Sequence, residues 1–178
     1  MKILLTGIDG YCGWPLALAI SKKYQKSKIV GVDNLSRRRW VNQSMSDSAI
    51  TIKSIKKRIK SAKNLGFKNI QFVKGDISNA LFTEDLFKKN KFDVVIHCAS
   101  QPSAPFANSS LKRATFTLKN NNISLLNILW SMKKFGKKNI KLINTSTTGV
   151  YGQPNFKIPE GFIEIKKGGK DILPFTNL

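Results

Sequence analysis

Acidic residues are scarce in this chain: ten Asp and Glu stand against 31 Lys and Arg in 178 residues, a formal charge of +21. A basic excess of this size raises nucleic acid as a partner. Most of the cations are lysines spread through every segment, however, and no single element gathers them. That is the texture of a solvated surface, so no nucleic-acid partner is expected. Such a field does favour small anions. Histidine is nearly missing; His97 stands alone in an apolar run, which predicts a hydrogen-bonded core residue rather than a base or metal ligand. The two cysteines, Cys12 and Cys98, have no paired spacing. A zinc site and a disulfide framework are thereby excluded, and both thiols are expected reduced and largely buried. No run of about 18 apolar residues occurs, which excludes a membrane-spanning helix. The opening segment also lacks the long apolar core and small-residue cleavage site of a secretory leader, so a soluble, cytoplasmic protein with no membrane partner is expected.

What the chain does have is alternation of strand and helix signals. Residues 1–5, 28–33, 69–74, 92–98 and 138–145 read as strands, and 12–24, 52–65, 80–89 and a long stretch within 110–135 as helices. Residues 92–98, Phe-Asp-Val-Val-Ile-His-Cys, form the kind of continuous apolar run that is buried on both faces of a sheet. Between the second strand and the second helix, residues 34–48 are basic and serine-rich, too long for an ordinary connection, and predict a functional loop. Strands alternating with helices at this spacing predict an α/β fold with a doubly wound parallel sheet of at least five strands and ligands beyond the strand carboxyl ends. Residues 1–152 are expected to form that domain. Residues 153–178 read as a hairpin-like excursion, with Lys167-Gly168-Gly169-Lys170 as its turn.

The first strand runs straight into Thr6-Gly7-Ile8-Asp9-Gly10-Tyr11-Cys12-Gly13. Gly7 suits the tight turn, Gly10 lets a phosphate approach the backbone, and Gly13 lets the helix pack closely on the strand. The free amides at that helix start can hold a pyrophosphate without side chains. Asp33 ends the second strand about twenty residues on, where a carboxylate binds the adenosine ribose hydroxyls. A dinucleotide site is the reading, and Asp33 favours NAD because it would repel a 2′-phosphate. Arg37, Arg38 and Arg39 pull the other way, since guanidiniums can accept that phosphate or close over a substrate. Asp76 can accept from the adenine amino group or cap the helix that follows. Thr145-Ser146-Thr147-Thr148 stands at the carboxyl end of the fifth strand, either facing a ligand or simply ending the strand with hydroxyls.

Together these pieces resemble the extended short-chain dehydrogenase/reductase family, whose members carry Thr-Gly-x-x-Gly-x-x-Gly, an Asp after strand two, a Gly-Asp-Ile-like turn, His-x-Ala after strand four, and a Ser or Thr four residues before Tyr-Gly. Here the match runs through Gly7, Gly10, Gly13, Asp33, Asp76, His97, Asn121, Thr147 and Tyr151. Within that family the chain is most similar to the UDP-sulfoquinovose synthases, through Asp9-Gly10-Tyr11-Cys12-Gly13-Trp14, Val32-Asp33-Asn34-Leu35 with Arg37-Arg38, Ser103-Ala104-Pro105, and Tyr151-Gly152-Gln153-Pro154-Asn155 leading to Glu160-Gly161. The likeness covers essentially the whole chain but about the first half of a family member.

The resemblance implies a Rossmann-like domain and NAD contacts from Gly7, Asp9, Gly10, Tyr11, Cys12, Gly13, Asp33, Asn34, Arg37, Asp76, Ile77, Ala99 and Asn121. It implies a UDP-sugar substrate, UDP-glucose, met by Gln101, Ser103, Thr147 and Thr148, with Thr147 as the catalytic hydroxyl at the reacting sugar oxygen. The reaction implied is UDP-glucose plus sulfite to UDP-sulfoquinovose through transient oxidation at C4. A UDP-sugar 4-epimerase or dehydratase, or a non-catalytic NAD-sensing protein, are the alternatives. The family's base is a Tyr with a Lys four residues on, and none follows Thr147 here; Tyr24 and Lys28 have the spelling but lie far from strand five. The chain is therefore expected to be an NAD-binding half, inactive alone, with a separate C-terminal half as a partner and a homodimer among full-length members. It departs from the family at Pro102, where an Arg is common, and at Thr148, where Met is usual.

Overall fold

The computed structural model describes residues 1–46 and 48–147, together with the backbone of 162–167 and 170–176. The chain divides into two compact units, Met1–Thr145 and Ser146–Leu178. In the first, five strands form one wholly parallel sheet: β1 (Lys2–Thr6), β2 (Lys28–Asp33), β3 (Ile70–Lys74), β4 (Val94–His97) and β5 (Lys141–Asn144), in the order β3-β2-β1-β4-β5. The direction of progression reverses between β1 and β4, and it is at such a reversal that open α/β sheets bind ligands.

Strand alternation feeds two cores. Ile3, Leu5 and Ile29 face one layer with Ile8, Ala17 and Ile55, contributed by the first βα loop and helices α1 (Gly13–Lys23) and α3 (Ile55–Asn64). Leu4, Val30, Val32 and Val95 face the other, packed with Leu86 and Phe87 of α4 (Ala80–Lys89) and Ile128 of α6 (Leu111–Phe135). Helices on both faces make the sheet doubly wound, as the periodicity predicts. Phe87 and Phe92 meet edge to face with ring centroids 5.4 Å apart at the centre of the second layer. Gly31 in β2 is required by close packing, because a Cβ there would fall 2.1 Å from Ile8 Cδ1.

The basic stretch after β2 is not a loop throughout. It holds α2 (Ser36–Gln43). Its polar start supplies what local propensity does not: Asp33 Oδ1 accepts from the Leu35 amide at 2.7 Å and Asn34 Oδ1 from the Ser36 amide at 2.9 Å. Trp40 then anchors the helix, its ring 5.7 Å from Phe106 and 5.4 Å from Phe116. Phe106 belongs to a one-turn helix, α5 (Ala104–Ala107). The thiols also differ from expectation: Cys12 is exposed at the start of α1 and Cys98 only half-buried.

In the second unit, β6 (Phe162–Lys167) and β7 (Lys170–Thr176) pair antiparallel with Lys167 opposite Lys170. Its turn residues, Gly168 and Gly169, lie outside the described residues.

Candidate functional site

Three glycines shape the first βα loop. Gly7 adopts φ +72°, and a Cβ on it would meet the Cys98 carbonyl carbon and oxygen at 2.7 Å. A Cβ on Gly13 would fall 2.1 Å from the Gly7 carbonyl oxygen, so only glycine lets α1 start against the loop. The Gly7 amide donates to Val32 O and the Gly10 amide back to Gly7 O, closing the turn. By contrast, the amides of Tyr11, Cys12 and Gly13 donate to no group among the described residues. The first turn of α1 carries no acidic side chain, and the side chains of Tyr11 and Cys12 are exposed. This is a helix N-terminus whose first donors are unmatched among the described residues, as an anion requires.

Asp33 and Asp9 tie the loop to β2. The Asp33 carboxylate accepts from the Asp9 amide at 2.9 Å as well as from Leu35. Burial pushes its pKa up, while those two N–H donors oppose the shift. The Asp9 carboxylate receives Arg38 Nε at 2.7 Å and Arg38 Nη2 at 3.0 Å, and it also receives Arg58 Nη2 from α3. Its bond to the Asp9 carboxylate holds the Arg38 pKa up. Arg58 lies over the Trp14 ring, its Cζ 4.8 Å from the centroid. Arg58 is a residue the sequence reading passed over. Its signal was present: it is the one arginine of a lysine-rich helix and stands three residues from Ile55 on the apolar Ile55–Ile59–Ala62 stripe, where a solvated cation does not belong.

After β3, Asn34 Nδ2 donates to Asp76 Oδ2 at 2.9 Å and the Ser78 amide and hydroxyl donate to Asp76 Oδ1. Burial raises the Asp76 carboxyl, but these bonds outweigh it and leave its pKa below the usual range. Asp76 thus caps the turn that leads to α4, while Ile77 is buried beneath it.

At the end of β4, Asn121 of α6 accepts from the Gln101 amide at 2.8 Å and donates to the Gln101 carbonyl at 3.1 Å. Gln101 is buried and bonds Ser103 and Thr117. Ser103 Oγ in turn caps α5 by accepting from the Phe106 amide. The Ala99 amide is held by Thr6 Oγ1 at 3.3 Å. Arg37, Trp40, Gln101, Ser103 and Phe106 line a hollow of about 300 Å3. The structure therefore gathers Gly7, Asp9, Gly10, Asp33, Asn34 and Asp76 around the β1 and β2 carboxyl ends, and it places Arg37, Gln101 and Ser103 around a neighbouring hollow. Thr147 belongs to the second unit, and Thr148 and Tyr151 lie outside the described residues. Tyr24 and Lys28 sit at the opposite end of the sheet, at the close of α1 and the start of β2. Among the described residues, no group of three or more His, Cys, Asp or Glu is arranged to hold a metal, and no helix is long and apolar enough to cross a membrane.

Known proteins carry the same architecture. UDP-glucose 4-epimerase from Bifidobacterium longum, solved in complex with NAD+ and UDP, superposes with a TM-score of 0.66 over 88% of this chain and 40% of its own, at 23% identity. dTDP-glucose 4,6-dehydratase from Bacillus anthracis, in complex with NAD, gives 0.62 over 97% of this chain and 44% of its own, also at 23% identity. At that level the likeness speaks for the fold alone. In sequence, the chloroplastic UDP-sulfoquinovose synthase of Spinacia oleracea is 40% identical over 98% of this chain and 36% of its own length. The UDP-sulfoquinovose synthase of Sulfolobus acidocaldarius is 37% identical over 96% of this chain and 43% of its own length. The chain thus spans less than half of each of these relatives. A profile of one family, described as GDP-mannose 4,6 dehydratase, matches residues 4–162, and with the five-stranded parallel sheet and its glycine-bent first loop the chain belongs to that family of short-chain dehydrogenase-like epimerases and dehydratases.

Proposed function

We propose that this chain is the NAD-binding half of a nucleotide-sugar enzyme of the UDP-sulfoquinovose synthase type. The observation that carries the reading is that the amides of Tyr11, Cys12 and Gly13, which donate to no group among the described residues, open α1 beside the Asp33 carboxylate at the next strand end. The amides and the positive end of α1 would hold the pyrophosphate. Asp33 would accept from the adenosine ribose hydroxyls, and Asp76 from the adenine amino group. The residues fit the group, because the substitution-intolerant Gly7 and Gly13 keep backbone, not side chain, against the loop. When bound, NAD supplies a hydride acceptor for the sugar. The chain's own part is then to orient: Asn121 fixes the Gln101 backbone, and Gln101 fixes Ser103, beside the hollow in which Arg37 offers a cation to an anionic sugar nucleotide. Thr147, two residues past the first unit, is the proposed hydroxyl partner of the reacting sugar oxygen.

The sequence likeness to UDP-sulfoquinovose synthases, over nearly the whole chain, favours UDP-glucose and sulfite as substrates. Calorimetric titration with NAD tests the cofactor reading: saturable binding that Asp33→Ala weakens by about tenfold or more is expected, at roughly one good hydrogen-bonded contact. Unchanged binding in Asp33→Ala overturns the placement of the ribose. For the substrate, the chain is supplemented with the C-terminal half of the Spinacia oleracea relative and assayed with UDP-glucose. Sulfite-dependent product is expected; product formed equally without sulfite makes the chain part of an epimerase or dehydratase instead.

A further inference from the structure

Three arginines follow β2 directly, and by charge alone they should welcome a 2′-phosphate. The structure gives the middle one another occupation. The Asp9 side chain is only 6% exposed, yet it lies at the bend of the first loop and carries a carboxylate with two guanidinium partners, Arg38 from α2 and Arg58 from α3. Arg38 is held further by the carbonyls of Ile52 and Lys53 at 3.3 and 3.0 Å. Arg58 is held by the Asp9 carbonyl at 3.2 Å and by the face of Trp14. Its Nε is buried with no hydrogen-bond partner among the described residues, a donor left unmet so that its Nη2 can reach the loop. The amide of the same Asp9 rests on Asp33, so the ribose carboxylate and the two guanidiniums are anchored on one residue.

We propose that Asp9 is a cofactor-selectivity residue: by holding Arg38 and Arg58 together it keeps both cations from a 2′-phosphate beside Asp33, and so reserves the site for the dinucleotide that lacks one. The inference rests on the NAD-binding reading. A 2′-phosphate entering next to Asp33 meets a carboxylate and finds Arg38 and Arg58 already paired with Asp9. Removing the Asp9 charge while keeping its shape releases two planar donors of the kind that bind phosphate in paired hydrogen bonds.

The test is calorimetric titration of the parent, Asp9→Asn and Asp9→Ser with NAD and with NADP, with circular dichroism on each to verify the fold. The parent is expected to prefer NAD. In both variants the ratio of NADP to NAD affinity should rise by about tenfold or more, roughly one charge-assisted contact, through tighter NADP binding. Adding Arg38→Ala to Asp9→Asn should abolish most of that gain. A parent that binds neither nucleotide sinks the NAD reading itself. A parent that binds NAD, with variants whose ratio stays within about twofold or whose two affinities fall together, overturns the role of Asp9 and leaves that reading standing. Failure of both variants to fold also overturns it, because the carboxylate is then a structural group.

Discussion

The Thr6 hydroxyl and the Nδ1 nitrogen of His97 lie 2.7 Å apart, joining β1 to β4 inside the sheet. Thr6 Oγ1 also accepts from the amides of Cys98 and Ala99, so its one proton goes to Nδ1 and the imidazole is the neutral Nε2–H tautomer. Nε2 faces Ser124 Oγ at 3.3 Å. A proton on Nδ1 would have to displace that arrangement in a buried place, and burial lowers the His97 pKa to about 4.

Acid sensitivity follows from that depression. Between the unfolded value of 6.5 and the folded value of about 4, the unfolded chain binds a proton that the folded chain refuses. Stability is therefore complete above the upper limit and falls as pH drops through the window. The loss should reach about 2 kcal/mol between pH 7.5 and pH 5, read as a drop in the urea midpoint at constant slope. His97→Gln, which has no titrating group at this position, should lose that fall in stability over the same range. Asp33 acts with the opposite sign. Its raised carboxyl runs in the opposite direction, its contribution declining as pH rises through the folded value.

A Gly13→Ala substitution should collapse the loop. The added methyl would lie 2.1 Å from a backbone oxygen, which no side-chain rotation relieves. A loss of about 1–3 kcal/mol or more in unfolding free energy is expected, together with loss of NAD binding by calorimetry. Gly66→Ala is the matched control. Gly66 has φ +95° and nothing within 4 Å of where a methyl would stand, so the change should cost only about 1 kcal/mol of backbone strain and leave binding unchanged.

Trp40→Ala should loosen α2 selectively. The indole is the main apolar tie between that helix and Phe106 and Phe116. Without it, trypsin should cut at Arg37, Arg38 and Arg39 severalfold faster under native conditions, while global stability falls by roughly 1–3 kcal/mol. Equal cleavage rates in parent and variant would mean that the polar contacts at Asp33 and Asn34 hold the helix unaided.

The same helix shows where the sequence was opaque. β2 and α4 were readable to the residue because Lys28–Asp33 is a short apolar run and Ala80–Lys89 carries Leu81, Phe82, Leu86 and Phe87 behind the capping Asn79. The glycine loop was readable because its three spaced glycines stand between a strand and a helix. In contrast, Ser-Arg-Arg-Arg-Trp-Val-Asn-Gln has two apolar residues and no helical stripe, and Leu35 precedes it at φ +62°, a conformation that leucine rarely adopts. Its stability comes from Asp33, Asn34 and distant aromatics, none of which forms a periodic pattern within the helix. α5 had a start signal in Ser103 and Pro105 that reads equally well as a turn. The Asp9 ion pairs span 29 and 49 residues, and no local spacing rule reaches that far.

Two faces of α6 should answer oppositely to truncation. Ile128 is wholly buried against Phe92 and Val95, so Ile128→Ala should remove about 2–5 kcal/mol by leaving a cavity that the sheet cannot fill. Leu129 and Trp130 come next in sequence but are 46% and 57% exposed. Leu129→Ala and Trp130→Ala should therefore stay within about 0.5 kcal/mol of the parent in chemical denaturation. The contrast tests the orientation of the helix, since a rotation by one residue position would exchange the two responses. A large loss in Trp130→Ala that grows with protein concentration would instead show that a second copy covers this face, because only association makes apparent stability depend on concentration.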